Sequence, residues 1–124
     1  EAAEEAAPAD PVLDRWLALY REVARSNDAE PDAGRVLKRW ALDAGFADVV
    51  ATGSTWCFTD DHERDWWGGL WADRMQSSAL ADQALEGGMT DRAELDAISA
   101  AFRRWAAAPD GWFLVPHGEV LARG

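Results

Sequence analysis

The stretch Ala44-Gly45-Phe46-Ala47-Asp48-Val49-Val50 decides the fold. A helix-forming run meets a glycine, and the chain passes directly into apolar, β-branched sequence. Glycine just past a helix end takes the left-handed conformation cheaply and closes the last turn. The residues before Gly45 read as helix. The residues after it, Phe46 to Phe58, read as one long strand. A strand needs a partner, and the only other strand-like run is Trp112 to Leu121, near the C-terminus. The pattern therefore predicts an α+β, mostly helical fold, with about five helices packed on an antiparallel two-strand pair.

Outward from that junction, the helices follow from caps and apolar spacing. Asp10-Pro11 opens a helix, since Asp is a good N-cap and Pro is tolerated at the first helical position. Leu13, Trp16, Leu17, Tyr20, Val23 and Ala24 recur at helical spacing on one face. Glu30-Pro31-Asp32 is expected to begin a second helix, with Val36, Leu37, Trp40, Ala41 and Ala44 as its apolar positions. Thr59 is expected to cap a third, with Trp66, Trp67, Leu70, Trp71 and Met75 facing inward. Gly68-Gly69 in its middle costs roughly 1 kcal/mol per glycine, which points to a close helix contact or a ligand approach there. Ser77-Ser78 breaks this helix, a short fourth runs from Ala79 to Leu85, and Thr90 or Asp91 caps a fifth, Asp91 making a capping-box-like pair with Glu94, that carries Leu95, Ile98, Ala101, Phe102 and Trp105. Gly53 is expected to mark a bulge or bend in the long strand. Residues 1–10 are acidic and alanine-rich without an apolar stripe, which predicts a tail or a short exposed helix. Residues 11–124 then form a single domain.

Composition narrows the function classes. A chain of 124 residues with 48% hydrophobic content is large enough for a real core. The formal net charge of −11 repels phosphate backbones and anionic lipid, so neither nucleic acid nor membrane is an expected partner. The acidic start lacks the basic-then-apolar pattern of a signal peptide. Its first residue, Glu1 rather than methionine, fits a processed chain or a fragment. The single cysteine, Cys57, excludes an internal disulfide and suits a reducing cytoplasm.

Motifs for catalysis are sparse. Neither GxxxxGKS nor GxGxxG occurs, so no phosphate loop is predicted, and Gly68-Gly69 and Gly87-Gly88 are read as structural. His62 and His117 have no nucleophile-elbow sequence to serve. Cys57, among large apolar neighbours, reads as a small buried hydrophobe. Asp60, Asp61, His62, Glu63 and Asp65 read as acids complementing a helix N-terminus rather than as metal ligands. No catalytic, cofactor-binding or metal residue is assigned.

The eight tryptophans are the unusual feature. Each can bury roughly 200 Å², so a core role is the first expectation. The alternative is one wall of an apolar substrate pocket made of Trp56, Trp67, Trp71 and Trp112, with Arg74 or His117 as its polar handle.

Leu37-Lys38-Arg39-Trp40-Ala41-Leu42-Asp43-Ala44-Gly45-Phe46-Ala47-Asp48-Val49 resembles a recurring piece of class I S-adenosylmethionine-dependent methyltransferases, where a helix ending Ala-Gly-Phe enters the sixth strand. Leu13-Asp14-Arg15-Trp16, Glu30-Pro31-Asp32-Ala33-Gly34-Arg35, Trp66 to Arg74, Asp110-Gly111-Trp112-Phe113 and His117-Gly118-Glu119-Val120-Leu121 extend it. Together they resemble the C-terminal half of actinobacterial ubiquinone/menaquinone-type methyltransferases. The resemblance implies the last strand pair of a Rossmann-like sheet and the helices that close over the acceptor substrate. It also implies that the S-adenosylmethionine motifs lie in an N-terminal half outside this chain, so that this chain alone binds no cofactor and is inactive. In that family the last strand lies between two neighbours, where Pro116 is awkward unless its nitrogen faces an open side. An exposed edge invites pairing, so a homodimer with exchanged elements, or association with a cofactor-binding half, is expected. The alternative is a stand-alone module for small apolar ligands or for dimerisation.

Overall fold

In a computed structural model, which describes residues 5–124, the strand started at the Gly45 junction and the C-terminal strand pair over their whole length. Gly45 has φ +96°, the left-handed conformation expected just past a helix end. β2, Asp48–Phe58, runs antiparallel to β3, Trp112–Arg123, with Asp48 opposite Arg123 and Phe58 opposite Phe113. The register is unbroken. Gly53 faces Gly118 directly, so the expected bulge at Gly53 is absent.

A third strand joins them. β1, Glu5–Ala7, pairs antiparallel with Leu114 to Trp112, giving the order β1-β3-β2. The tail expected over residues 1–10 is therefore a strand over Glu5–Ala7, and residues 1–4 lie outside the described residues. Its anchor is a side chain from elsewhere: the Trp105 indole donates to the Ala7 carbonyl at 3.1 Å. Short-range pattern could not show this, because an alanine-rich tripeptide carries no strand signal of its own.

Five α-helices among the described residues complete the fold. α1, Pro11–Ser26, starts at Asp10, whose carboxylate accepts from Val12 N at 2.9 Å. The second helix begins later than its sequence suggests. Ala33–Arg35 forms a 3₁₀ turn, and α2 covers only Leu37–Asp43. Asp32 does not cap it, because its carboxylate is engaged by Arg21 at 3.2 Å and Arg25 at 3.7 Å. Of the apolar α2 positions only Ala41 is buried, and Trp40 is 49% exposed.

α3, Asp61–Gln76, is capped by Asp60 rather than Thr59, in a full capping box with Glu63. Its buried face is Arg64, Trp67, Gly68, Trp71, Ala72 and Met75, so Trp66 points outward instead of inward. Gly68 is where α3 meets α5: a Cβ there would lie 2.8 Å from Ala106 Cβ and 3.0 Å from the Phe102 carbonyl. The Gly69 position is open. α4, Ala79–Glu86, begins at Ser78, and α5, Arg92–Ala107, at Asp91.

The core gathers where α1, α3 and α5 meet the first residues of β3. Trp16, Phe102 and Phe113 are all buried, and their rings sit edge-to-face or tilted at 5.1 to 6.4 Å. Each such aromatic pair adds about 0.5–1.5 kcal/mol beyond area burial. Arg64 of α3 is also buried, and is satisfied by the Ala106 carbonyl at 3.1 Å, the Thr59 carbonyl at 2.5 Å and Asp61 at 2.6 Å. Cys57, expected to be buried, is exposed. It alternates with Trp56 and Phe58 along β2, so it lies on the face opposite the one that packs on the helices.

Candidate functional site

Past Leu114, where pairing with the described part of β1 ends, β3 borders a cleft of about 660 Å³. Its floor is Trp16 and Tyr20 of α1 with Trp67 and Trp71 of α3. One side is Val115 to Gly118 of β3, and the other is the Pro31–Arg35 segment.

The local chemistry explains each wall. The four floor residues sit one turn apart on two helices, so each pair presents one face. Trp16 meets Trp71 edge-to-face at 4.8 Å, Tyr20 meets Trp71 at 5.9 Å, and Trp67 meets Trp71 at 6.0 Å. The rings thus brace one another in fixed orientations. The Pro31–Arg35 wall is tied to α1 by Asp32, which Arg21 and Arg25 hold. It is held to β3 by a backbone contact. A Cβ on Gly34 would lie 2.7 Å from Gly118 N, and a Cβ on Gly118 would collide with the Gly34 carbonyl. Both positions require glycine because the two backbones touch.

Polar capacity is concentrated in the same place. The Nε1 atoms of Trp16, Trp67 and Trp71 and Nδ1 of His117 are buried without a hydrogen-bond partner among the described residues. Buried polar atoms are normally paired. Four unpaired ones in residues of a single cleft mark it as chemically unusual. The floor offers flat apolar surface, and Tyr20, Asp32, Arg35 and His117 add polar groups around it. Such a lining suits binding of a flat, largely apolar molecule with a few polar atoms. His117 Nδ1, buried and without a hydrogen-bond partner among the described residues, contributes a polar atom to the β3 side of the cleft.

Of the residues singled out from the sequence, Trp67, Trp71 and His117 line the cleft. Trp56, Arg74 and Trp112 do not. Trp56 is 53% exposed and lies against the outer side of His117, with ring centroids 4.2 Å apart. The Arg74 guanidinium sits 5.0 Å from the Trp71 ring, as a cation–π contact behind the wall. Trp112 is half-buried opposite Ala7. Trp16, Tyr20 and the Gly34–Gly118 contact were missed. The available signal was Gly118 within a strand, which commonly marks a close backbone approach.

Over 107 residues the chain is 29% identical to an uncharacterized methyltransferase of Schizosaccharomyces pombe. The match takes in 83% of this chain but only 38% of that relative, so the chain spans well under half of the protein it matches. No family model matches the chain, and no solved structure matches it. The relationship to a methyltransferase stands on that similarity. Among the described residues no helix is long and apolar enough to cross a membrane.

Proposed function

We propose that this chain forms the acceptor-substrate side of a class I S-adenosylmethionine-dependent methyltransferase. The observation that carries the reading is the aromatic cleft of Trp16, Tyr20, Trp67 and Trp71, found in a chain related to a methyltransferase. Its 124 residues contain no glycine-rich cofactor loop. The cofactor is therefore assigned to residues beyond this chain, and the chain alone transfers no methyl group. Its work is to bind and orient the acceptor, exclude water from one side of it, and hold the Pro31–Arg35 wall against β3. The lone thiol fits a reducing, cytoplasmic setting.

Titration with naphthol, followed by tryptophan emission, tests the cleft. Saturable quenching is expected, weakened at least about tenfold by Tyr20→Ala or Trp71→Ala and unchanged by Trp66→Ala, whose ring is 55% exposed and outside the cleft. Quenching that follows Trp66 instead would overturn the assignment. Calorimetry with S-adenosylmethionine should give no binding to the chain alone. Micromolar binding would mean that the cofactor site lies here after all.

A further inference from the structure

We propose that two copies of this chain pair edge to edge through β2, antiparallel about Gly53. Because the strand order is β1-β3-β2, β2 is the outer edge among the described residues. It is unusually bare for an edge. Protected edges are short, bulged, covered, or interrupted by lysine or proline. β2 has eleven residues, an unbroken register, no proline, and no charged side chain from Val49 to Phe58. Residues 50–57 are all exposed.

Charge selects the occupant. On a chain of net charge −11, most surfaces repel a second copy. β2 brings no charge of its own from Val49 to Phe58, and Glu119, which accepts from the Thr52 and Ser54 hydroxyls, stands one strand back on β3, so no like charges are directly opposed across the ladder. The sequence of β2 also complements itself. A twofold axis at Gly53 sets residue i of one copy against residue 106−i of the other. Val50, 52% exposed, then faces Trp56 of the second copy, and Trp56 faces Val50. An aromatic opposite a β-branched side chain is a favourable cross-strand pair. Thr52 faces Ser54, and Cys57 faces Val49. The product is a continuous six-stranded sheet. It leaves the β1 side of each copy available to a cofactor-binding portion.

Sedimentation of the 124-residue chain across a concentration series, with cross-linking of two variants, tests the pairing. The expected mass is twice 13.6 kDa at the upper end of the series. Thr55→Lys should shift dissociation at least about tenfold towards monomer without altering the circular dichroism spectrum, since Thr55 is exposed. Val49→Cys, with oxidised glutathione as the oxidant, should form a disulfide to Cys57 of the other copy many-fold faster than Ala51→Cys does. A chain that stays monomeric overturns the proposal. So does a dimer that survives Thr55→Lys and shows no preference for Val49→Cys, which would mean association through another face.

Discussion

At its Phe113 end the sheet is sealed, and at its Leu121 end it is open. Phe113 and Val115 are buried beneath α1, α3 and α5, and Phe58 stacks on Trp67 at 4.5 Å. Six residues further along the same strand, Leu121 is 60% exposed, and Val50 opposite it is also bare. Both ends belong to one ladder of one register. Backbone pairing therefore does not distinguish them; side-chain burial does. The sealed end holds the monomer together. The open end contributes pairing geometry and surface, and its apolar residues are available for something outside the monomer.

The largest expected effect tests this division directly. Phe102 is fully buried and touches the rings of Trp16, Trp71 and Phe113. Phe102→Ala should lower unfolding free energy by about 3–5 kcal/mol. Leu121→Ala, at the open end, should change it by no more than about 0.5 kcal/mol in the monomer. Urea midpoints of the two variants, taken at low protein concentration, check both values. Comparable losses would mean that the open end is part of the core after all.

A smaller effect is expected where the two regions meet. Gly118 lies between them, with its Cα face against the Gly34 carbonyl. Backbone cannot retreat as a flexible side chain can. Gly118→Ala should cost about 1–3 kcal/mol, in the range of overpacked sites. It should also separate the Pro31–Arg35 wall from β3, so naphthol quenching should weaken while helix content is retained. Gly53→Ala, whose Cβ would have ordinary 3.5 Å contact with the His117 carbonyl, serves as the matched control on the partner strand.

Much of the architecture was legible because it is written in local chemistry. Gly45, Asp10, Ser78 and Asp91 act through their immediate neighbours, and each stands at a helix end, Asp91 being the one of Thr90 and Asp91 that caps α5. The β2–β3 pairing was legible because only two strand-like runs exist. What was not legible depends on distant partners. Glu5–Ala7 is a strand because β3 offers it an edge and Trp105 holds it. Arg64 is buried because Thr59 and Ala106 supply carbonyls. The aromatic cleft was half visible. Trp67 and Trp71 follow from helix periodicity, whereas Trp16 and Tyr20 join them only through the packing of α1 on α3. Trp56 and Trp112 look alike in sequence to the cleft tryptophans, yet the pleat and the strand ends place them elsewhere.

The smallest effect concerns the sealed region's own seam. Glu94 joins α5 to α1: Arg15 Nε donates to its two oxygens at 3.2 and 3.3 Å, and Thr90 Oγ1 donates at 2.7 Å. The hydrogen bonds from Arg15, then that from Thr90, hold its carboxyl below the ordinary value of 4.5, with the Arg15 charge adding to them and desolvation opposing. A depressed carboxylate pKa stabilises the fold above the unfolded value, and that stabilisation is lost as pH falls through the folded value. Glu94→Gln should therefore lower stability at about pH 7, and the gap to the unaltered chain should close as pH falls from about 4.5 into the lower range. Solvent screens this partly exposed pair, so the gap at neutral pH should stay under about 1 kcal/mol. Urea midpoints at about pH 7 and about pH 3 give the comparison. A gap that persists in acid would mean that Glu94 works through packing and its hydrogen bond from Thr90 rather than through its charge.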